Sequence, residues 1–154
     1  MKRTTLSILV VAALAAALAA SSGAATANTL VISHVLKGCH IWALNGGAPA
    51  VKQTVTLHPG QSLTIRDGDV MPHQLVKLGG PAVSMKLLSS GVPSTGTLKA
   101  PYAVGMMPHM SSVLRVTFPR AGRYTLSTKA GEDYTEGIKT VGEDNVLKLT
   151  VTVK

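Results

Sequence analysis

From Thr29 to the last residue the chain is written in short runs where apolar and polar positions alternate. "TLVISHVL" (29–36), "QTVTL" (53–57) and "SLTIRD" (62–67) keep a period of two with β-branched residues in most apolar places. "HQLVKL" (73–78), "SVLRVTF" (112–118), "GRYTLSTK" (122–129) and "NVLKLTVTV" (145–153) continue the pattern. Gly, Pro, Asn or Asp bounds each run, as at His58-Pro59-Gly60, so the runs predict strands joined by turns. The stretch 81–101, "PAVSMKLLSSGVPSTGTLKAP", is rich in Ser, Gly and Pro and predicts a long connection with one short strand or helical turn. No heptads, amphipathic helix or long repeat interrupts this reading. The expectation is an all-β Greek-key sandwich or small barrel of about seven to eight strands.

The first 27 residues follow another rule. Lys2 and Arg3 precede the apolar run "LSILVVAALAAALAA", and "SSGAATA" ends in the small-x-small triplet Ala25-Thr26-Ala27. That is the layout of a secretory signal peptide cleaved after Ala27. The run is too short and Ala-rich for a transmembrane helix. The expected mature domain is residues 28–154, secreted or held in the periplasm or cell envelope, with no membrane span.

Charge narrows the partners. Without Lys2 and Arg3 the mature chain carries 13 basic residues against 7 acidic, a net +6. This suits anionic surfaces or acidic partners. Scattered lysines, few aromatic side chains and export argue against nucleic acid. Five of the seven acids, Glu132, Asp133, Glu136, Glu143 and Asp144, crowd into 131–145, where Gly-Glu-Asp occurs twice. That segment reads as solvated turns, a docking patch for a basic partner, or a hard-cation site weakened by Lys129 and Lys139.

The candidate chemistry lies in the sulfur and imidazole residues. Met-Pro-His occurs twice, at 71–73 and 107–109, and Met106 and Met110 flank the second copy. Four of the five mature methionines thus lie within three residues of His73 or His109. Core-filling methionines would follow the strand period; these crowd proline-containing positions instead. Proline fixes its own φ and biases the residue before it, so a histidine just after it sits on a stiff turn. Thioether and imidazole together suit copper.

Cys39 is the only cysteine, so no disulfide forms within the chain. In "KGCHIW" it adjoins His40; on a regular strand the two point to opposite faces, and both reach one metal only if Gly38 permits a bend. Trp42 shares the face of His40, as a core indole or a shield for the site. The expected ligands are Cys39, His40, His73 and His109 for one copper ion, with Met71, Met107 or Met110 as a weak further donor. Both Met-Pro-His copies are expected to serve that one site. His34 and His58 are expected elsewhere, His58 in the turn at the opposite pole. Zinc stays open, since Cys and three His form a valid zinc set. Nothing supplies the oxyanion-stabilising group that nucleophilic catalysis through Cys39 and His40 needs, so no enzyme is expected.

"LHPGQSLTIRDGDVMPHQLV" (57–76) followed by "VTFPRAGRYTLST" (116–128) resembles the cupredoxins. The resemblance implies a cupredoxin-like fold, matches His73 to that family's first copper-binding histidine, and matches Phe118, Gly122 and Tyr124 to its penultimate strand. It also exposes a departure. The family then supplies Cys, His and usually Met, whereas this chain has Thr128 at the expected Cys and no Cys, His or Met in "KAGEDYTEGIK". The ordinary ligand loop is missing, so a copper site here must be relocated. The implied roles are electron transfer, or copper carriage or sequestration with a redox or copper-trafficking protein partner; a metal-free interaction domain or a zinc-binding structural domain are the other readings.

Overall fold

The computed structural model describes residues 28–35, 39–93, 98, 100–129 and 147–154. The leader 1–27 and the acidic segment 131–145 lie outside the described residues, as does the side chain of Cys39.

Ten strands form among the described residues: β1 (Asn28–Val35), β2 (Cys39–Leu44), β3 (Lys52–Leu57), β4 (Ser62–Asp67), β5 (His73–Gly79), β6 (Ser84–Ser89), β7 (Met106–Met107), β8 (Val113–Thr117), β9 (Gly122–Lys129) and β10 (Lys148–Val153). They make two five-stranded sheets, ordered β2-β1-β4-β8-β6 and β3-β10-β9-β5-β7. Each sheet holds one parallel pair, β1 with β4 and β3 with β10, which the crossing connections between sheets produce. Each of the seven runs read from alternation holds a strand among the described residues. The three additional strands have identifiable causes. β2 hides its period because a histidine occupies an inward position. β6 is the short strand of the 81–101 connection. β7 has only two residues and follows Gly105, whose φ of +82° and close approach to the Leu75 carbonyl leave no room for a Cβ.

The inner faces keep the period of two. Leu30 and Ile32, Leu63 and Ile65, Leu114 and Val116, and Leu149 and Val151 are buried between the sheets with Trp42, Phe118 and Tyr124. The Phe118 and Tyr124 rings meet edge-on, centroids 5.1 Å apart, and the Tyr124 hydroxyl donates to the Arg120 carbonyl at 2.6 Å. Burial of this set supplies the main folding force. Trp42 is a core indole, its Nε1 donating to the Val51 carbonyl at 3.1 Å. At one pole the inward positions become polar. β4 runs Leu63, Ile65, Asp67; β5 begins at His73 before Leu75; β2 presents His40 before Trp42. Each strand therefore aims its end-most inward side chain into a shared polar cap over the core.

Candidate metal centre

The cap is assembled by strand register. His34 and His40 stand opposite each other in the β1–β2 antiparallel pair, so their side chains share a face. Ile32 pairs with Asp67 across the parallel β1–β4 ladder, which brings the end of β4 beneath them. The chain then bends through Gly68. Its N–H donates to the Ile32 carbonyl at 2.8 Å, and a Cβ there would lie 2.6 Å from that same oxygen. Only glycine lets the backbone come this close and turn Asp69 back under the histidines. Gly68→Ala is expected to lower unfolding stability by about 1–3 kcal/mol, the usual cost of overpacking, as read from denaturant midpoints. An unchanged midpoint would show that β1 and β4 part without strain.

The turn is fixed by side chains. The Asp69 N–H donates to Asp67 Oδ1 at 2.9 Å, and the Met71 N–H to Asp69 Oδ1 at 3.2 Å. Asp69 Oδ2 is left facing three imidazoles: His40 Nε2 at 2.6 Å, His73 Nε2 at 3.5 Å and His34 Nδ1 at 3.5 Å. The His40 and His73 rings meet edge-on with centroids 4.6 Å apart, and His34 packs against His40 at 5.6 Å. His73 Nε2 also lies 3.8 Å from Asp67 Oδ1. His40, His73, Asp67 and Asp69 are all buried, and His34 is exposed.

Two carboxylates two residues apart are shifted in opposite directions. Burial pushes the Asp67 carboxyl up to about 7, against the pull of His73. Burial raises Asp69 too, but the His40 and His73 rings and the Met71 N–H outweigh it and hold Asp69 well below the usual carboxylate range. Neither ring nitrogen of His73, nor Asp67 Oδ2, meets a hydrogen-bond partner among the described residues. Buried polar atoms in native proteins are nearly always satisfied, and each exception costs about 1–3 kcal/mol. Imidazole nitrogens facing an ionised carboxylate are the donor atoms that a divalent transition metal takes. The donor atoms of His34, His40 and Asp69 all lie within 4.8 Å of one another, close enough to hold one ion, and His73 stands beside them.

Sequence and structure agree on part of this set. His40 and His73 come together as expected. His109 is at the same end: it follows Met107, which opposes His73 in register, and its neighbours Ser111 and Ser112 are hydrogen-bonded to the Asp67 backbone. Its own N–H donates to Ser112 Oγ at 3.1 Å, and its ring stands edge-on to Tyr102, centroids 6.3 Å apart. Met107 is fully buried in the core, Met71 is half-buried beside Asp69, and Met110 is exposed. Cys39 takes its place in β2 opposite Val35. His58 lies at the far pole, its Nδ1 2.8 Å from the Lys154 carbonyl at the end of β10.

Three residues went unread. His34, expected elsewhere, belongs to the cluster, because β2 returns as a hairpin partner of β1 and puts His40 opposite it. Asp67 and Asp69 are not among the expected ligands, because aspartate counts in the sequence only as a boundary of the runs. The available signal was the alternation Leu63, Ile65, Asp67, which puts a carboxylate in phase with the core, and the spacing of four between Asp69 and His73.

No family's sequence pattern matches the chain, and no curated protein matches it. Among solved structures it is similar to amicyanin from Paracoccus versutus, at 16% identity over 84% of this chain and 83% of that one, with a TM-score of 0.43. It is also similar to a point mutant of amicyanin in the Cu(I) state, at 12% identity over 86% and 87% of the chains and a TM-score of 0.40. A third, an oxidised amicyanin mutant, shows 18% identity over 87% and 88% with a TM-score of 0.39. The strand order and the two parallel pairings make the fold a cupredoxin-like sandwich. Thr128, where the sequence resemblance expects a cysteine, is buried on β9 opposite Leu75. The donors present fit an imidazole–carboxylate centre.

Proposed function

We propose that the protein is an exported copper-binding protein that carries or sequesters one copper ion at the polar cap of its sandwich. His40, His73 and Asp69 would hold the ion and His34 would complete the set. His109, Cys39, Met71, Met107 and Met110 are the further donors that the sequence supplies around this pole. Bound there, copper would bring affinity for incoming imidazole, carboxylate or thiolate groups and a one-electron couple. The protein's part is to keep His40 and His73 desolvated, to fix Asp69 through its two backbone contacts, and to close the core beneath them.

The observation that carries the reading is the buried His73 ring, with both nitrogens lacking a hydrogen-bond partner among the described residues and an ionised carboxylate beside it. Carriage is favoured over rapid electron transfer because nitrogen and oxygen donors suit Cu(II), whereas electron-transfer copper sites are built around a thiolate. Zinc is the second reading, since three imidazoles and a carboxylate also fit it. Export rests on the leader at 1–27. No helix among the described residues is long and apolar enough to cross a membrane.

Titration of the purified mature chain with Cu(II), followed by native mass spectrometry and visible absorption, is the test. One ion per chain with a weak visible band is expected for nitrogen and oxygen ligation. An intense charge-transfer band that disappears in Cys39→Ser would add the thiolate to the set. A chain that takes up neither Cu(II) nor Cu(I) is a metal-free interaction domain, and one that takes only zinc moves the reading to a zinc-binding domain.

A further inference from the structure

We infer that His34 is the exchange ligand of this centre, the imidazole through which the ion enters and leaves and where an acceptor's donor atoms replace the protein's. The inference rests on the copper-binding reading above and concerns the order in which the ligands let go.

The cluster is graded in depth. The His73 and Asp69 side chains are 0% and 1% exposed and His40 is 3% exposed, whereas His34 is 54% exposed. Yet His34 Nδ1 reaches to 3.5 Å from the same Asp69 oxygen that faces the other two rings. Beneath the cluster the next inward residues, Ile32, Trp42 and Leu75, are buried in the core, so no route passes that way. Among the described residues of the cluster, His34 is the one that opens to solvent. Its position follows from the sequence period. Leu30, Ile32 and His34 share one phase of β1, and His34 is the member that has run past the end of the core. A ring half in water can swing out at little cost and be replaced by solvent or by another imidazole. Rings at the depth of His40 and His73 cannot move without opening a cavity. Metal sites that exchange or react keep one such open position, whereas structural sites are closed. The acceptor this arrangement fits is a protein surface or small chelator presenting imidazole, carboxylate or thiolate donors to the His34 side.

The test is the rate at which Cu(II)-loaded protein gives up its ion to EDTA in stopped flow, compared between wild type, His34→Ala and His73→Ala. His34 is exposed, so His34→Ala should fold as wild type does. The wild-type rate should rise with EDTA concentration, the mark of associative exchange. His34→Ala should release about tenfold faster or more while losing less affinity than His73→Ala, whose loss should exceed the 10–100-fold known for removal of a ligand's supporting group. Added imidazole should slow His34→Ala back towards the wild-type rate by filling the vacated position; a merely structural role for His34 gives no such rescue. Release from His34→Ala at the wild-type rate overturns the inference and leaves copper binding standing. So does faster release that imidazole does not slow, or an affinity loss as large as that of His73→Ala. Wild-type protein that binds no Cu(II) removes both this inference and the reading beneath it.

Discussion

His73→Ala should lower copper affinity by roughly 100-fold or more, beyond the 10–100-fold seen when only a ligand's supporting group is removed. His73 is the one ring of the cluster that sits at the start of β5 on the inward face, with its Nε2 within 4 Å of both Asp67 and Asp69. No other described imidazole can move into its place. Removing it takes a donor from the centre and leaves Asp69 facing His40 and His34. The consequence for stability separates this from ordinary core damage. Without metal, the deletion opens a cavity and takes one imidazole from the ionised Asp69, so His73→Ala should also lose stability, and the response to metal is what marks the ligand role. With metal, wild type should gain about 2.7 kcal/mol at a free-ion concentration 100 times its Kd, and His73→Ala should gain almost nothing. Thermal melts with and without Cu(II) measure both quantities. His58→Ala, at the far pole against Lys154, should melt and bind as wild type does. A copper-induced rise in Tm that survives in His73→Ala would place the ion elsewhere, with His109 and the methionines of the second Met-Pro-His copy as the first place to look.

The strands are legible because alternation is a property of the backbone, and a sheet with one face inside enforces it at each of the seven runs. The same rule hid the site. A reader who marks apolar residues as inward takes Asp67 for the end of a strand, although it completes the phase of Leu63 and Ile65. His40 shares a face with Trp42, but "KGCHIW" shows no alternation long enough to predict a strand that returns along β1. His34 then lost its partner. Its place in the cluster depends on the β1–β2 register, a long-range pairing that no local pattern encodes. Conversely, the Met-Pro-His repeat points through soft donors to the pole where the polar cap lies, while the donors the fold gathers most closely there are imidazole and carboxylate. The departure from the cupredoxin ligand loop at Thr128 is visible in the sequence; the polar cap built from the ends of β2, β4 and β5 is visible only in the structure.

Asp67→Asn should stabilise the metal-free protein at neutral and alkaline pH and leave it unchanged near pH 4. Asp67 is fully buried, and burial raises its pKa from 3.8 to about 7. Below pH 4 the carboxyl is protonated in folded and unfolded chains alike, and it costs nothing. Between about 4 and 7 the unfolded chain has released the proton while the folded one retains it, so stability falls as pH rises. Above 7 both are ionised and the full loss remains, about 4 kcal/mol at ~1.4 kcal/mol for each tenfold change in proton affinity. Asp69 runs the other way. Its folded pKa lies below the unfolded value, so its contribution is present above pH 3.8 and fades as pH falls below it. The two windows meet near pH 4, where the pair together favours folding most. Asparagine keeps the oxygen that accepts the Asp69 N–H but carries no charge to desolvate, so it should flatten the slope between pH 4 and 7. Denaturant unfolding of both proteins at pH 4 and pH 8, in the presence of a chelator, reads this directly. An equal difference at the two pH values would mean that Asp67 acts through packing and not through its charge. If the gain appears at pH 8, the wild-type chain is holding an ionised acid in its core at a real cost to stability. Such a cost is the signature of a group kept for what it binds. The same substitution should then weaken copper binding, because it removes a negative charge from beside His73.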